Sequence, residues 1–124
     1  MTGDFTQSLL EQVQEAIGYK SPLVIEGGGS KKFYGYPQPD VLKRLYTSDH
    51  QGVIDYSPDE LVIRVRAGTP LSEVRKLLAD SGQMLAFEPP DFAGNATIGG
   101  VIASGLSGAR RPFSGALRDF VLGT

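Results

Sequence analysis

The sequence predicts a single α+β domain in which helices and short strands alternate along the chain. Apolar residues in the segment 5–17 recur at helical spacing, and the run 61–66 is rich in β-branched residues. Turns rich in Gly, Pro and Ser separate such segments. With 124 residues, of which 40% are hydrophobic and 21% charged, the chain is large enough for one core and too small for two.

The N-terminal segment predicts a helix followed by a strand. Asp4 and Gln7 have the spacing of a capping box, and Gly18 is a suitable residue for ending the helix. The apolar run 22–25 then predicts a short buried strand. Because this strand leads directly into the glycine-rich run 26–31, its end is a candidate ligand-binding turn.

The middle of the chain predicts three further strands. The segments 41–46 and 52–56 are weak candidates, and the segment 61–66 is a better one because of its β-branched residues. The segment 35–39 has a linker-like composition and predicts a loop.

A second helix is expected to begin after a Gly-Thr-Pro turn and to run to about residue 79. Thr69 is a suitable N-cap and Pro70 a suitable first helical residue. Ser81 and Gly82 are expected to end this helix before another strand at 84–87.

Composition excludes several classes of function. The net charge of −2 gives no basic footprint for nucleic acid. The absence of cysteine excludes disulfides, thiolate metal sites and iron–sulfur ligation within this chain. The first residues lack the pattern of a secretory signal, and no apolar run approaches the ~20 residues of a membrane span. We therefore expect a cytoplasmic protein.

The glycine-rich run has a physical rationale as a phosphate site. Successive amide N–H groups without side chains can converge on a diphosphate, and Ser30 adds a hydroxyl donor. A tight turn that needs only flexibility would have the same sequence, so that interpretation stays open. The run has neither the Walker ending nor the Gly-x-Gly-x-x-Gly spacing, which makes phosphoryl transfer and a Rossmann site less favourable.

A second run of small residues begins at Thr97. Thr97 is a suitable cap for a short helix, and small residues at 99, 100, 103 and 104 would leave a shallow face for a ligand. The same residues would also suit close packing of a helix against a strand, and we keep both interpretations.

Three phrases, taken in order, carry a family resemblance. They are Gly-Gly-Gly-Ser-Lys at 27–31, the segment 83–90 that ends in Glu-Pro-Pro, and Leu-Arg-Asp-Phe-Val-Leu-Gly-Thr at 117–124. Together they resemble the FAD-binding (PCMH-type) domain of the vanillyl-alcohol oxidase and p-cresol methylhydroxylase flavoprotein family. Within it they are most similar to FAD-binding subunits of bacterial enzymes that oxidise glycolate.

The resemblance implies that FAD binds between the two runs of small residues. The implied cofactor-binding residues are Gly27, Gly28, Gly29, Ser30, Lys31, Pro89, Pro90, Thr97, Ile98, Gly99, Gly100, Ala103, Ser104 and Arg110.

The charged and titratable residues refine this expectation. Arg110 is a possible cofactor contact, whereas Arg118 and Asp119 are expected to form a structural pair. Some family members attach FAD through a histidine in the pyrophosphate loop, where this chain has Gly29 or Ser30, so we expect non-covalent FAD. His50, the only histidine, is expected to face solvent, which leaves no catalytic triad or metal site.

The resemblance also implies a whole-protein function. Residues 1–124 are expected to be an incomplete FAD-binding domain, the N-terminal part of a flavin-dependent oxidoreductase acting on a 2-hydroxy acid. Electrons would pass to partner subunits, one of them containing iron–sulfur clusters, at the inner face of the membrane. No catalytic residue can be named. The alternatives are a non-catalytic nucleotide-binding or subunit-contact module, and a related flavoprotein that acts on another alcohol or a sugar.

Overall fold

The computed structural model describes residues 3–124 and has four helices, four strands and three short 3₁₀ turns in that part of the chain. The helices are α1 (Thr6–Gly18), α2 (Leu71–Asp80), α3 (Ile98–Ser104) and α4 (Arg111–Ser114), and the strands are β1 (Leu23–Glu26), β2 (Lys43–Tyr46), β3 (Val53–Ser57) and β4 (Val62–Val65). The 3₁₀ turns are Pro58–Glu60, Phe92–Gly94 and Leu117–Asp119. The predicted α+β class is therefore confirmed.

The strands form two separate two-stranded sheets. β1 and β2 are parallel, with Leu23 opposite Lys43 and Glu26 opposite Tyr46. β3 and β4 are antiparallel, with an irregularity between Val53 and Asp55. The parallel pair places the end of β1, and with it the glycine-rich run, beside the end of β2.

The core lies between α2, α3 and the C-terminal segment. Leu71 and Val101 are almost fully buried, and they pack with Phe87, Ala96 and Leu117 in one apolar cluster. Because α2 buries its apolar face here, the start of α3 is held against the rest of the domain.

A buried corner at Thr69 connects the sheets to the helices. The Thr69 hydroxyl accepts a hydrogen bond from the Gly52 N–H (3.0 Å) and donates one to the Arg66 carbonyl (2.7 Å). The Thr69 carbonyl accepts from the Ile98 N–H (3.0 Å), at the first residue of α3. The side chain is completely buried. This corner fixes α3 relative to the β3–β4 pair.

Several local expectations need correction. Because its hydroxyl is used in the corner, Thr69 does not cap α2, and Pro70 occupies the N-cap position instead. Asp4 and Gln7 do not form a capping box, since Phe5 is the N-cap of α1, although the Asp4 carboxylate accepts from the Thr6 N–H (3.0 Å). Gly18 ends α1 as predicted.

The predicted strand at 84–87 was wrong. Within residues 3–124 these residues pair with no strand; they form an irregular segment that leads to the two prolines. The Phe87 side chain enters the core, with its ring centroid 5.5 Å from that of Phe120, and the Phe87 carbonyl accepts from the Gly108 N–H. The apolar run therefore reflects core packing.

His50 does not face solvent as expected. Its side chain is 17% exposed, and Nδ1 accepts a hydrogen bond from the Phe5 N–H at 3.0 Å. This contact ties the loop after β2 to the start of α1.

None of the helices described in residues 3–124 combines the length and apolar character that crossing a bilayer requires.

Candidate functional site

An open cleft of about 540 Å³ lies between the end of β1 and the exposed side of α3. This volume falls within the range typical of small-molecule sites. The glycine-rich loop 27–30 and Lys31 form one wall, and Thr97, Gly100 and Ala103 form part of another. The cleft thus brings together the two runs of small residues that lie about 70 positions apart in the sequence.

The glycine-rich loop 27–30 presents backbone to the cleft. None of its four amide N–H groups has a hydrogen-bond partner within residues 3–124. Gly29 has φ +68°, a conformation that glycine adopts without strain. Amide donors that lack partners and side chains are suited to the oxygens of a diphosphate.

Close packing explains two glycines of this loop. A Cβ at Gly28 would collide with the Asn95 carbonyl oxygen, and one at Gly27 would lie 2.5 Å from Thr97 Oγ1. The loop is therefore held against the segment before α3. Its glycines serve packing on one side and leave backbone exposed on the other.

Helix α3 closes the opposite side of the cleft. Thr97 is its N-cap, with Oγ1 accepting from the Gly100 N–H at 3.3 Å, as the sequence predicts. Gly105 ends the helix with φ +63°. A Cβ at Gly100 would lie 3.9 Å from Lys31 Nζ, so Gly100 and Lys31 face each other across the cleft.

The charges around the cleft favour an anionic ligand. Glu26 pairs with Lys32 (2.9 Å) and Arg44 (2.9 Å), and Arg44 also approaches Asp40 at 3.5 Å. With Lys31 included, three cations and two carboxylates line the cleft and leave one net positive charge. Within the described part of the chain, no carboxylate lies within ion-pair distance of Lys31.

Lys31 and Glu26 differ in how the protein shifts their pKa. Burial lowers the pKa of the Lys31 ammonium, an effect that the Asp91 carboxylate partly offsets. The Lys32 hydrogen bond holds the pKa of Glu26 below its usual value, with Arg44 adding to the effect and burial opposing it. An anion in the cleft would stabilise the charged form of Lys31, so this side chain fits a phosphate ligand.

Most of the predicted site residues lie together in the cleft, and the others do not line it. Those that line it are Gly27, Gly28, Gly29, Ser30, Lys31, Thr97, Gly100, Ala103 and Ser104. Those that lie elsewhere are Pro89, Pro90, Ile98, Gly99 and Arg110.

The residues outside the cleft have structural contacts of their own. The Gly99 N–H donates to the Ala67 carbonyl, and a Cβ at Gly99 would lie 3.0 Å from that oxygen, so this glycine permits close packing. The Arg110 guanidinium is paired with both carboxylate oxygens of Glu88, at 3.1 and 3.2 Å. Pro89 is buried, and its carbonyl accepts from Arg75.

Asp119 is not paired with Arg118 as expected. Its carboxylate accepts from the Ala116 N–H at 2.9 Å, and no ion pair between the two residues occurs within residues 3–124. Asp119 therefore stabilises the turn that begins at Ala116.

Sequence reasoning missed one group of cleft residues. Glu26 and Arg44 lie on paired strands, and Tyr34, Tyr36 and Pro37 come from the loop between them. The composition of this loop is that of an ordinary linker. Its position directly after the glycine run was therefore the only signal in the sequence.

Two comparisons of sequence identify similar proteins. The sequence model of a family described as "FAD binding domain" matches residues 6–124. Over 121 residues the chain is 51% identical to the protein named glycolate oxidase subunit GlcE of Escherichia coli (strain K12), covering 98% of this chain and 34% of that protein. The chain thus spans about a third of the length of this relative.

Proposed function

The chain belongs to the family of FAD-binding domains, with FAD as its cofactor, and from this premise we propose that it is the FAD-binding part of a flavin-dependent glycolate oxidase subunit. The resemblance in sequence to a subunit of that name supports this assignment. Glycolate is a 2-hydroxy acid, so the proposed reaction is the oxidation of its alcohol carbon.

One observation carries the proposal. The four amide groups of the loop 27–30 have no hydrogen-bond partner within residues 3–124, and they line the same cleft as Lys31. Unpaired amides beside a cation supply what a diphosphate needs, namely several donors and a compensating charge. We therefore propose that the FAD diphosphate lies on this loop.

The other residues of the cleft have supporting roles in this proposal. Gly100, Ala103 and Ser104 leave a shallow surface on α3 beside the loop. The N-cap at Thr97 stabilises the first turn of that helix. Pro89, Pro90, Ile98, Gly99 and Arg110 remain predicted contacts, which would require the cofactor to extend beyond the cleft.

When bound, the flavin supplies the two-electron acceptor for the 2-hydroxy acid. The described residues bind and orient it, and we assign none of them to catalysis. Electrons would leave through partner subunits, including an iron–sulfur subunit, at the inner face of the membrane. FAD is held non-covalently in this proposal, since Gly29 and Ser30 stand where a linking histidine would be needed.

We also propose that the FAD domain continues beyond residue 124 and is followed by a substrate-binding domain. The chain corresponds to 34% of the length of its relative, which supports this interpretation.

The experiment uses the full-length protein that carries residues 1–124. After acid precipitation, non-covalent FAD should appear in the supernatant, and anaerobic glycolate should bleach the visible absorbance of the bound flavin. Lys31→Gln should weaken FAD binding by roughly tenfold, equivalent to ~1.4 kcal/mol, because a charge-assisted contact to phosphate is lost. The exposed Lys76 on α2 provides the matched control, and Lys76→Gln should leave the affinity unchanged.

A different experimental result would contradict each part of the proposal. A protein that binds no FAD would overturn the site, and flavin retained in the precipitate would overturn non-covalent binding. A bound flavin that another 2-hydroxy acid reduces but glycolate does not would overturn only the choice of substrate.

A further inference from the structure

Three residues of the loop between β1 and β2, Tyr34, Tyr36 and Pro37, form an aromatic wall at one side of the cleft. We propose that this aromatic wall stacks against the adenine of FAD and so forms the adenosine subsite. The inference rests on the proposed function, because it assumes that the diphosphate lies on the loop 27–30.

Both tyrosines of the wall present much of their surface to solvent. Tyr36 is 93% exposed and Tyr34 is 56% exposed, although both line the cleft. Neither aromatic ring is paired with another ring within residues 3–124. Exposed aromatic surface beside a polar site is typical of ligand-binding surfaces.

Neighbouring contacts anchor the loop that carries the wall. The Phe33 ring packs edge-to-face on that of Phe92, with centroids 4.9 Å apart. The Tyr34 N–H donates to the Lys31 carbonyl at 2.9 Å, which closes a turn directly after the glycine loop. At the far end, Asp40 approaches Arg44 on β2. These contacts tether the loop at both ends.

The position of the wall indicates which ring system of FAD, adenine or flavin, it contacts. FAD has a ring on each side of its diphosphate, and the cleft offers two different surfaces beside the loop 27–30: the small residues of α3 and the aromatic wall. A flavin that reacts with substrate needs a site from which water is excluded. Adenine serves only as an anchor and tolerates solvent. Because Tyr36 is almost fully exposed, the aromatic wall suits adenine.

The chemistry of stacking fits the residues present. A purine binds to an aromatic face through stacking, which requires no hydrogen bonds to its edges. The planar ring of Tyr36 and the rigid ring of Pro37 lose little conformational freedom on binding. A tyrosine-to-alanine change should therefore remove affinity without disturbing the cleft.

The test compares FAD and ADP as ligands of the full-length protein. FAD affinity is measured by flavin fluorescence, and ADP affinity by competition against FAD. Tyr36→Ala should weaken both ligands by the same factor, about tenfold, and Tyr36→Phe should leave both unchanged. Tyr19 is 80% exposed at the end of α1, outside the cleft, so Tyr19→Ala is the matched control and should have no effect.

The outcomes separate this inference from the proposed function. If the unmodified protein binds no FAD, the proposed function fails, and the subsite fails with it. If FAD binds with unchanged affinity in Tyr36→Ala, only the adenosine subsite is overturned. A loss for FAD without a loss for ADP, or an absence of ADP competition, also overturns it, since the wall would then hold the flavin. An equal loss in Tyr19→Ala would point to a general effect and overturn it as well.

Discussion

Gly100 shows how one missing side chain shapes the cleft. A methyl group there would lie 3.3 Å from Thr97 Oγ1 and 3.9 Å from Lys31 Nζ. It would therefore occupy the space in which we place the FAD diphosphate. At the same time Gly100 lies inside α3, where alanine is intrinsically more favourable than glycine by ~1 kcal/mol.

We expect Gly100→Ala to retain thermal stability and to weaken FAD binding by roughly tenfold, or ~1.4 kcal/mol, because the methyl group narrows the cleft. The measurement is FAD titration alongside a melting curve. Gly18→Ala is the control, since a Cβ at that end of α1 meets nothing within 4 Å. Full FAD affinity in Gly100→Ala would contradict the placement of the diphosphate.

Glu26 links stability to pH. Its carboxylate is 15% exposed and forms ion pairs with Lys32 and Arg44. The pKa of Glu26 is lowered in the folded protein, chiefly by the Lys32 hydrogen bond. Because the pKa is lowered by folding, the carboxylate stabilises the fold at pH values above its unfolded-state pKa of about 4.3. This contribution is lost as the pH falls through the lower pKa of the folded state.

Replacing Glu26 by glutamine tests this linkage. Glu26→Gln should reduce the free energy of unfolding at pH 7 by about 1 kcal/mol, allowing for solvent screening. It should also make stability less dependent on pH below 5 than in the unmodified protein. Denaturant titrations at several pH values provide the measurement, and Glu15→Gln, at a half-exposed pair with Lys43, is the control. An identical acid profile for Glu26→Gln and the unmodified protein would count against the role of Glu26.

At the scale of elements, the glycine loop 27–30 packs against the segment before α3 as well as lining the cleft. Gly28 approaches the Asn95 carbonyl so closely that a side chain at 28 must move one of the two segments. Gly28→Ala should therefore destabilise the protein by about 1–3 kcal/mol, measured by thermal or chemical unfolding. A stability equal to that of Gly18→Ala would show that the loop has room to move.

The sequence predicts elements well where the determinants are local. The helical spacing of residues 5–17 and Gly18 located α1, and the Thr97 cap located α3. The segment 84–87 was misread because an apolar run is equally suited to a strand and to the core, and only the packing of Phe87 distinguishes them. The Thr69 cap was also wrong, since its hydroxyl contacts Gly52, which is distant in sequence.

The same distinction applies to the site. The glycine loop and the small residues of α3 are local patterns, and the structure brings them into one cleft. The pairing of Glu26 with Arg44 depends on the β1–β2 register, and the aromatic wall depends on how its loop folds back. Neither is encoded in a short motif, so neither was predictable from spacing.

At the scale of the molecule, the chain exposes much surface. Its accessible area is 8430 Å², whereas a monomeric protein of 13.3 kDa is expected to expose about 6,450 Å². Side chains such as Val41, Leu61 and Leu122 contribute to this excess, each more than three-quarters exposed. The excess supports the proposal that other parts of a larger protein pack against these residues.

FAD binding should stabilise the whole protein through linkage. At a free FAD concentration of about 100 times Kd, the free energy of unfolding should rise by ~2.7 kcal/mol, because the ligand binds the folded state alone. Melting curves at increasing FAD concentration would measure this. Riboflavin lacks the diphosphate and should produce little shift at the same concentration; an equal shift would contradict the role of the glycine loop.

The buried corner at Thr69 has a consequence for motion. The Gly52 amide donates to the Thr69 hydroxyl, and the Ile98 amide donates to the Thr69 carbonyl. The neighbouring Gly99 amide donates to the Ala67 carbonyl. We expect these amides to exchange slowly with deuterium, because exchange requires the hydrogen bonds of the corner to open. The segment 27–40 has few such bonds, so we expect its amides to exchange faster, through local opening. We therefore expect slow exchange at the corner beneath α3 and fast exchange in the segment 27–40. A ligand bound at the loop 27–30 should slow exchange mainly in that segment.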